Sequence, residues 1–152
     1  MPSWNDLLNE IDARSPQAGL QWLQEQQQAA LQRIRALRGD RNVLFYASAF
    51  LQKPLSSATS INHEDINAFM STIFKMDWHK GLTLLLHTPG GSANAAETIV
   101  AYLRTKFKYI EVIVPAYAFS AGTMVALAAN KIVMGKQSQL GPIDPQMPIA
   151  GS

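Results

Sequence analysis

Acyl transfer to a hydroxyl needs a serine oxygen held at an exposed point, and a pair of hydrogen-bond donors aimed at the oxyanion that forms as it attacks. Two segments of this sequence hold residues of those types. One is His87-Thr88-Pro89-Gly90-Gly91-Ser92, and the other is Pro115-Ala116-Tyr117-Ala118-Phe119-Ser120-Ala121-Gly122. Ser120 is the candidate nucleophile, and the small residues after it let a helix approach a sheet. Gly90 and Gly91 have no side chains, so a peptide can come close to their backbone. The N–H of Ala121 is the candidate second donor, and Ser92 is a candidate for the groove that would hold a substrate. A plainer reading stands beside this one. A serine at a helix start is commonly an N-cap, and Pro-Gly-Gly is commonly only a turn. Ser120 also lacks a Gly-x-Ser-x-Gly elbow.

A base is harder to find. His87 ends the run before the glycines and is the last-resort candidate, but it reads more readily as a loop histidine bonded to backbone. His63 and His79 read as helix-end surface residues, and Lys136 as a solvated side chain. Asp144, between Pro142 and Pro145, is expected to shape a loop bordering the substrate groove. No His/Asp/Glu cluster has metal-ligand spacing, so neither a metal nor a cofactor is expected. With Cys 0, disulfides, thiol catalysis and zinc–thiolate sites are excluded.

Both segments must be positioned by the elements around them. Residues 1–40 read as a helical extension: Ser3 caps a helix with Leu7, Leu8 and Ile11, and Pro16 suits the first turn of a second helix that stops near Gly39. From residue 42 the pattern changes. Val43–Tyr46, Leu82–Leu86, Ile110–Val114 and Ile132–Met134 are short, continuously apolar runs typical of buried strands. Between them lie a helix capped by Asn62, with Ile66, Phe69, Met70, Ile73 and Phe74 on one face, a helix over 93–107 and a helix opened by Ser120. Strand alternating with helix implies an α/β fold, a mostly parallel sheet with helices on both faces. In such sheets sites form beyond the carboxyl ends of the strands, where both candidate loops lie.

The chain has 152 residues, hydrophobic residues are 47 % of it, and its formal net charge is +2. That composition fits one core-forming domain. The densest basic cluster, Arg33, Arg35, Arg38 and Arg41, reads as a solvated helix face, and no aromatic residues interleave with it, so no nucleic-acid partner is expected. No apolar run reaches the roughly 18–20 residues of a membrane span, and the polar N-terminus is unlike a signal peptide. A cytoplasmic protein is expected.

Three motifs in order then carry a resemblance. LLLHTPGGSANAAETIVAYLR is similar to the oxyanion-loop segment of Clp-type proteases and signal peptide peptidases. AFSAGTMVALAANKIVMGKQSQLGPIDPQ is similar to their nucleophile segment, and the combination of HTPGG, SAGTM and SQLGPIDPQ most resembles the serine dehydrogenase proteinase family. The resemblance covers residues 40–146. It implies a Clp/crotonase-like fold over 41–152, Ser120 as nucleophile, Gly91 with Gly90 beside it as oxyanion glycine, and Ala121 as the second donor. It further implies an ATP-independent serine peptidase acting on peptide or protein substrates and assembled as a homo-oligomer. The departure is the base. Where Clp proteases place a histidine, this chain reads Gly141-Pro142-Ile143-Asp144-Pro145. The signal peptide peptidases use a lysine farther along. The base is therefore expected beyond residue 152, and the domain is expected to be truncated at its C-terminus. Two other classes fit less well: a degenerate, non-catalytic assembly or peptide-binding module, and a crotonase-type acyl-CoA enzyme, whose chemistry generally uses carboxylates.

Overall fold

The computed structural model describes residues 3–143. They form two compact units that divide between Asp40 and Arg41. The first is a helical hairpin. Helix α1 (Trp4–Asp12) opens with a capping box, the Ser3 hydroxyl accepting from the Asp6 N–H while the Ser3 N–H donates to the Asp6 carboxylate. Helix α2 (Pro16–Leu37) starts from Ser15 with Pro16 in its first turn. Gly19 is buried against Ile11, and the Arg14 guanidinium lies 4.8 Å from the centre of the Trp22 ring. Gly39 and Asp40 then take left-handed backbone (φ 69° and 58°), which ends the helix.

The second unit is built on four strands: β1 (Asn42–Ala47), β2 (Leu82–His87), β3 (Ile110–Val114) and, after a two-residue strand β4 (Tyr117–Ala118), β5 (Lys131–Met134). They pair in parallel in the order β1-β2-β3-β5. Helices α3 (His63–Ile73), α4 (Ala93–Lys106) and α5 (Ala121–Leu127) make the crossovers. A last short strand, β6 (Gln139–Leu140), pairs in parallel with β4. This is the parallel α/β architecture that the alternating pattern implied.

Leu44, Leu84, Val112 and Ile132 stand side by side across the sheet. They pack with Phe69 and Ile73 of α3, Ile99 and Leu103 of α4, and Val125 and Ala126 of α5 in one core. The strand order runs in a single direction, so right-handed crossovers all return over the same face. The expectation of helices on both faces is met on one face only by these crossover helices. The opposite row is Phe45, Leu85, Ile113 and Val133, with Phe45 at 42 % exposure. Continuous apolar strands gave no means of telling which helix covers which face. The stripe of α3 is also narrower than its spacing indicated. Phe69 and Ile73 are buried, whereas Met70 and Phe74 are exposed at its edge.

Arg41 belongs with this unit rather than with a solvated arginine face. Its guanidinium donates to Thr83 Oγ1 (3.2 Å) and to Glu111 Oε2 (3.1 Å), and Lys131 Nζ lies 3.7 Å from the other oxygen of Glu111. Thr83, Glu111 and Lys131 are neighbours in register. The buried carboxylate of Glu111 thus sits among cations.

Candidate active site

The two loops after β2 and β3 run side by side. Thr88 joins them: its N–H donates to the Tyr117 carbonyl (3.0 Å), and its carbonyl accepts from the Phe119 N–H (3.1 Å). Its hydroxyl accepts from the Gly90 N–H (3.1 Å), and its methyl fills the space where any side chain at residue 122 would stand. Thr88 is fully buried. Sequence reasoning passed over it, although a threonine between a strand and Pro-Gly-Gly was a visible signal of a stiff, self-bonding turn.

This pairing brings Gly90 against the serine. A Cβ at residue 90 would lie 2.5 Å from the Phe119 carbonyl oxygen, 2.7 Å from Ser120 Cβ and 3.1 Å from the Ala121 nitrogen. Only glycine fits there, and its φ of 99° also calls for glycine.

Ser120 itself has φ 49° and ψ −120°. A serine there costs on the order of 1–3 kcal/mol, and such strain persists only where the surroundings fix it. The hydroxyl makes no capping hydrogen bond to α5. The plain N-cap reading is therefore not realised. The side chain is half-buried at the sheet edge, immediately before a helix whose first residues, Ala121, Gly122 and Thr123, are buried. Thr123 fixes this start, its hydroxyl reaching the carbonyls of Ala118 (2.7 Å) and Gly141 (2.9 Å).

Gly91 is oriented by Ile61, the residue before the Asn62 cap. Ile61 forms a parallel bridge with it: the Ile61 N–H donates to the Gly90 carbonyl (2.7 Å), and the Ser92 N–H donates to the Ile61 carbonyl (2.8 Å). In such a bridge the central residue's own N–H and C=O point away from its partner. Gly91 therefore turns its amide away from Ile61. Among the described hydrogen bonds neither the Gly91 nor the Ala121 N–H is used, and the latter is an unsatisfied helix-start donor. Ser92 serves the structure directly, since its hydroxyl caps α4 by accepting from the Ala95 N–H (3.2 Å). Asp144 lies outside the described residues.

His87 does not approach the serine through any described hydrogen bond. Its Nδ1 accepts from the Tyr117 N–H (3.4 Å), and its ring lies among Phe50 (5.0 Å between ring centres) and Tyr117 (6.0 Å). Burial lowers its pKa from the ordinary value. Among the described residues no group of three or more His, Cys, Asp or Glu could hold a metal ion, and no helix is long and apolar enough to cross a membrane.

The chain is 42 % identical over 87 residues to one uncharacterised protein of Methanocaldococcus jannaschii, covering 57 % of this chain and 30 % of that one. It is 35 % identical over 121 residues to a second from the same organism, covering 77 % of this chain and 41 % of that one. The chain thus spans less than half the length of either relative. Among solved structures it is similar to a serine-to-alanine mutant of the 1510-N membrane-bound stomatin-specific protease, with a TM-score of 0.55 and 24 % identity over 74 % of this chain and 54 % of that one. That likeness bears on the fold alone. Residues 13–151 match the ClpP-like SDH-type serine proteinases, and the chain belongs to that family.

Proposed function

We propose that this chain carries the nucleophile and oxyanion hole of a serine peptidase that cleaves peptide bonds through an acyl-enzyme on Ser120. The observation that carries the reading is the strained Ser120 backbone with its hydroxyl left uncommitted, beside two unused backbone donors. Ser120 Oγ attacks the scissile carbonyl carbon and gives its proton to a base. The negative oxygen of the tetrahedral intermediate takes hydrogen bonds from Gly91 N–H and Ala121 N–H. Collapse breaks the C–N bond, the base returns the proton to the leaving amine, and water later releases the acyl group by the same route. An extended substrate adds as a strand beside the Gly90–Ser92 loop. The base is a lysine or histidine, of this protein or of a neighbouring subunit; no described hydrogen bond links one to Ser120. The domain 41–152 works as an ATP-independent cytoplasmic homo-oligomer on protein substrates.

The test is a fluorophosphonate probe on protein extended beyond residue 152, alongside Ser120→Ala. Specific labelling of Ser120, with peptide turnover falling on the order of 10⁴–10⁶-fold in the variant, supports the reading. A folded, unlabelled protein with no turnover points to a non-catalytic module instead.

A further inference from the structure

Strand β1 ends the sheet on one side. It pairs with β2 alone, so the main-chain groups along its other edge have no partner among the described residues. Those groups can be assigned. The Asn42 N–H donates to the Gly81 carbonyl and the Ser48 N–H to the His87 carbonyl. Bonded residues alternate along a parallel ladder. Asn42, Leu44, Tyr46 and Ser48 therefore turn their N–H and C=O to β2, while Val43, Phe45 and Ala47 turn theirs outward. Natural edge strands are blunted by lysine, proline or a bulge. Asn-Val-Leu-Phe-Tyr-Ala has no charge and no proline, and it keeps an unbroken register with β2 over all six residues. Phe45 is 42 % exposed.

The flank of this edge is open too. A shallow recess of about 90 Å³ runs between β1 and α3, lined by Leu44, Phe45 and Tyr46 on the strand and by Ala68, Phe69 and Thr72 on the helix. The middle of the strand thus stands beside the middle of the helix. Glu64, Ala68, Thr72 and Lys75 follow at i, i+4, i+8 and i+11, which makes one row on α3. Ala68 and Thr72 set that row on the side of β1. Helical backbone continues through Phe74 and carries Lys75 to the end of the row. All four residues are exposed, and neither Glu64 nor Lys75 has an ion-pair partner among the described residues.

We infer that β1 joins two copies of this chain, paired antiparallel about a two-fold axis through Phe45. In that register Phe45 and Phe45 of the second copy exchange two main-chain hydrogen bonds, and Val43 exchanges two with Ala47 on each side of the axis. Every outward group of the three residues is used; an axis through Leu44 or Tyr46 would pair fewer. The two exposed Phe45 rings meet on one face. The same axis passes between the two α3 helices. Each α3 crosses over from β1 to β2, so strands about 4.8 Å apart set the two helices roughly 10 Å apart, the spacing of packed helices. The small residues Ala68 and Thr72 stand where they touch. The helices run antiparallel, which brings Glu64 of each copy towards Lys75 of the other. A foreign strand would satisfy the edge alone, whereas a second copy also matches acid to base along α3. The two four-stranded sheets become one continuous sheet, and the symmetric pairing closes with no β1 edge left over. This contact gives the proposed oligomer a surface and does not depend on the chemistry at Ser120.

The experiment uses the 152-residue chain, which has no cysteine, so that single introduced cysteines report contacts. Phe45→Cys should form a cross-linked dimer under mild oxidation, because residues paired in this way lie about 5.5 Å apart between Cα atoms, within disulfide reach. Val43→Cys alone should not cross-link, and a mixture of Val43→Cys with Ala47→Cys should. Sedimentation of the cysteine-free chain should show a dimer. Glu64→Lys turns two attractive contacts into two repulsive ones and should raise the dissociation constant by at least about 10-fold, and adding Lys75→Glu should restore it. A chain that stays monomeric, an oligomer in which Phe45→Cys does not cross-link, cross-linking of Val43→Cys alone as readily as Phe45→Cys, or indifference to Glu64→Lys would overturn the inference. A monomer whose β1 amide NMR signals shift only on adding an extended peptide would overturn it in favour of a peptide site. Probe labelling of Ser120 reads the peptidase proposal separately.

Discussion

Gly91→Val separates the oxyanion role from a merely structural one. A Cβ at residue 91 would lie 2.5 Å from the Ile61 nitrogen and 3.0 Å from its carbonyl carbon, where ordinary contact begins near 3.4 Å. The two segments must part by about 1 Å, and a misplacement of that size costs on the order of 10²-fold in rate. Parting them also loosens the two bonds of the Ile61 bridge, each worth about 1 kcal/mol. The φ of 144° adds strain for a β-branched residue. The sum is a stability loss of about 2–4 kcal/mol, within the range of a damaging single substitution. The rate should fall by roughly 10²–10³-fold, as when one oxyanion donor is lost. The assay pairs peptide turnover of the extended protein with its thermal melt. Gly39→Ala is the control: nothing stands within 4 Å of a Cβ there, so strain at φ 69° lowers stability and leaves the rate alone. A Gly91→Val protein that folds and turns over at the wild-type rate would refute the assignment of this donor.

Three further outcomes follow from the same geometry. Ser120→Gly should abolish turnover like Ser120→Ala yet melt higher than it by about 1 kcal/mol of stability, because glycine accepts φ 49° and alanine does not; equal melting would show that the strain is not there. Arg41→Met should lower stability by about 1–3 kcal/mol by removing one charged hydrogen-bond partner of a buried carboxylate that keeps Lys131 nearby, and Glu111→Leu added to it should restore part of the loss, read by urea unfolding. His87 has its folded pKa lowered below the ordinary 6.5, so the unfolded chain binds more protons as pH falls from there towards the folded value. Stability should decline through that window in the wild type, and His87→Phe should flatten the decline; a parallel pH profile for the two proteins would count against it.

The main parallel sheet was legible because its strands are short, mainly apolar runs bounded by loops. Leu82–Leu86 and Ile110–Val114 lie within β2 and β3 as read. The two-residue strands β4 and β6 carry no period, so their pairing could not be seen. The same limit hid the Ile61 bridge: a single residue in a Ser/Thr-rich loop acquires meaning only when the chain folds back on Gly91. Glycines were informative because their permissiveness is local, and Gly90 and Gly91 both have positive φ. Arg41 was misread since its helical spacing continued the arginine stripe, while its partners Thr83 and Glu111 are distant in sequence.

Thr88 tests whether the strain at Ser120 is held from the neighbouring loop. Its backbone bonds to Tyr117 and Phe119 do not depend on the side chain in a valine or serine variant, so the side chain can be probed alone. Thr88→Val keeps the branched shape, and with it the methyl seated against Gly122, but removes the oxygen that accepts from Gly90 N–H. A buried amide without a partner costs about 1–3 kcal/mol, and the amide is that of the residue packed on Ser120 Cβ. Stability should fall by that amount, and turnover should fall with it as Gly90 relaxes away from the serine. Thr88→Ser reverses the trade: the oxygen stays and the methyl goes, so packing against α5 loosens while Gly90 remains bonded. Stability should again drop, with turnover largely kept. If Val and Ser lose activity equally, the hydroxyl does not position the loop, and the placement of Ser120 must depend on the start of α5 alone, through Thr123 and its bonds to Ala118 and Gly141.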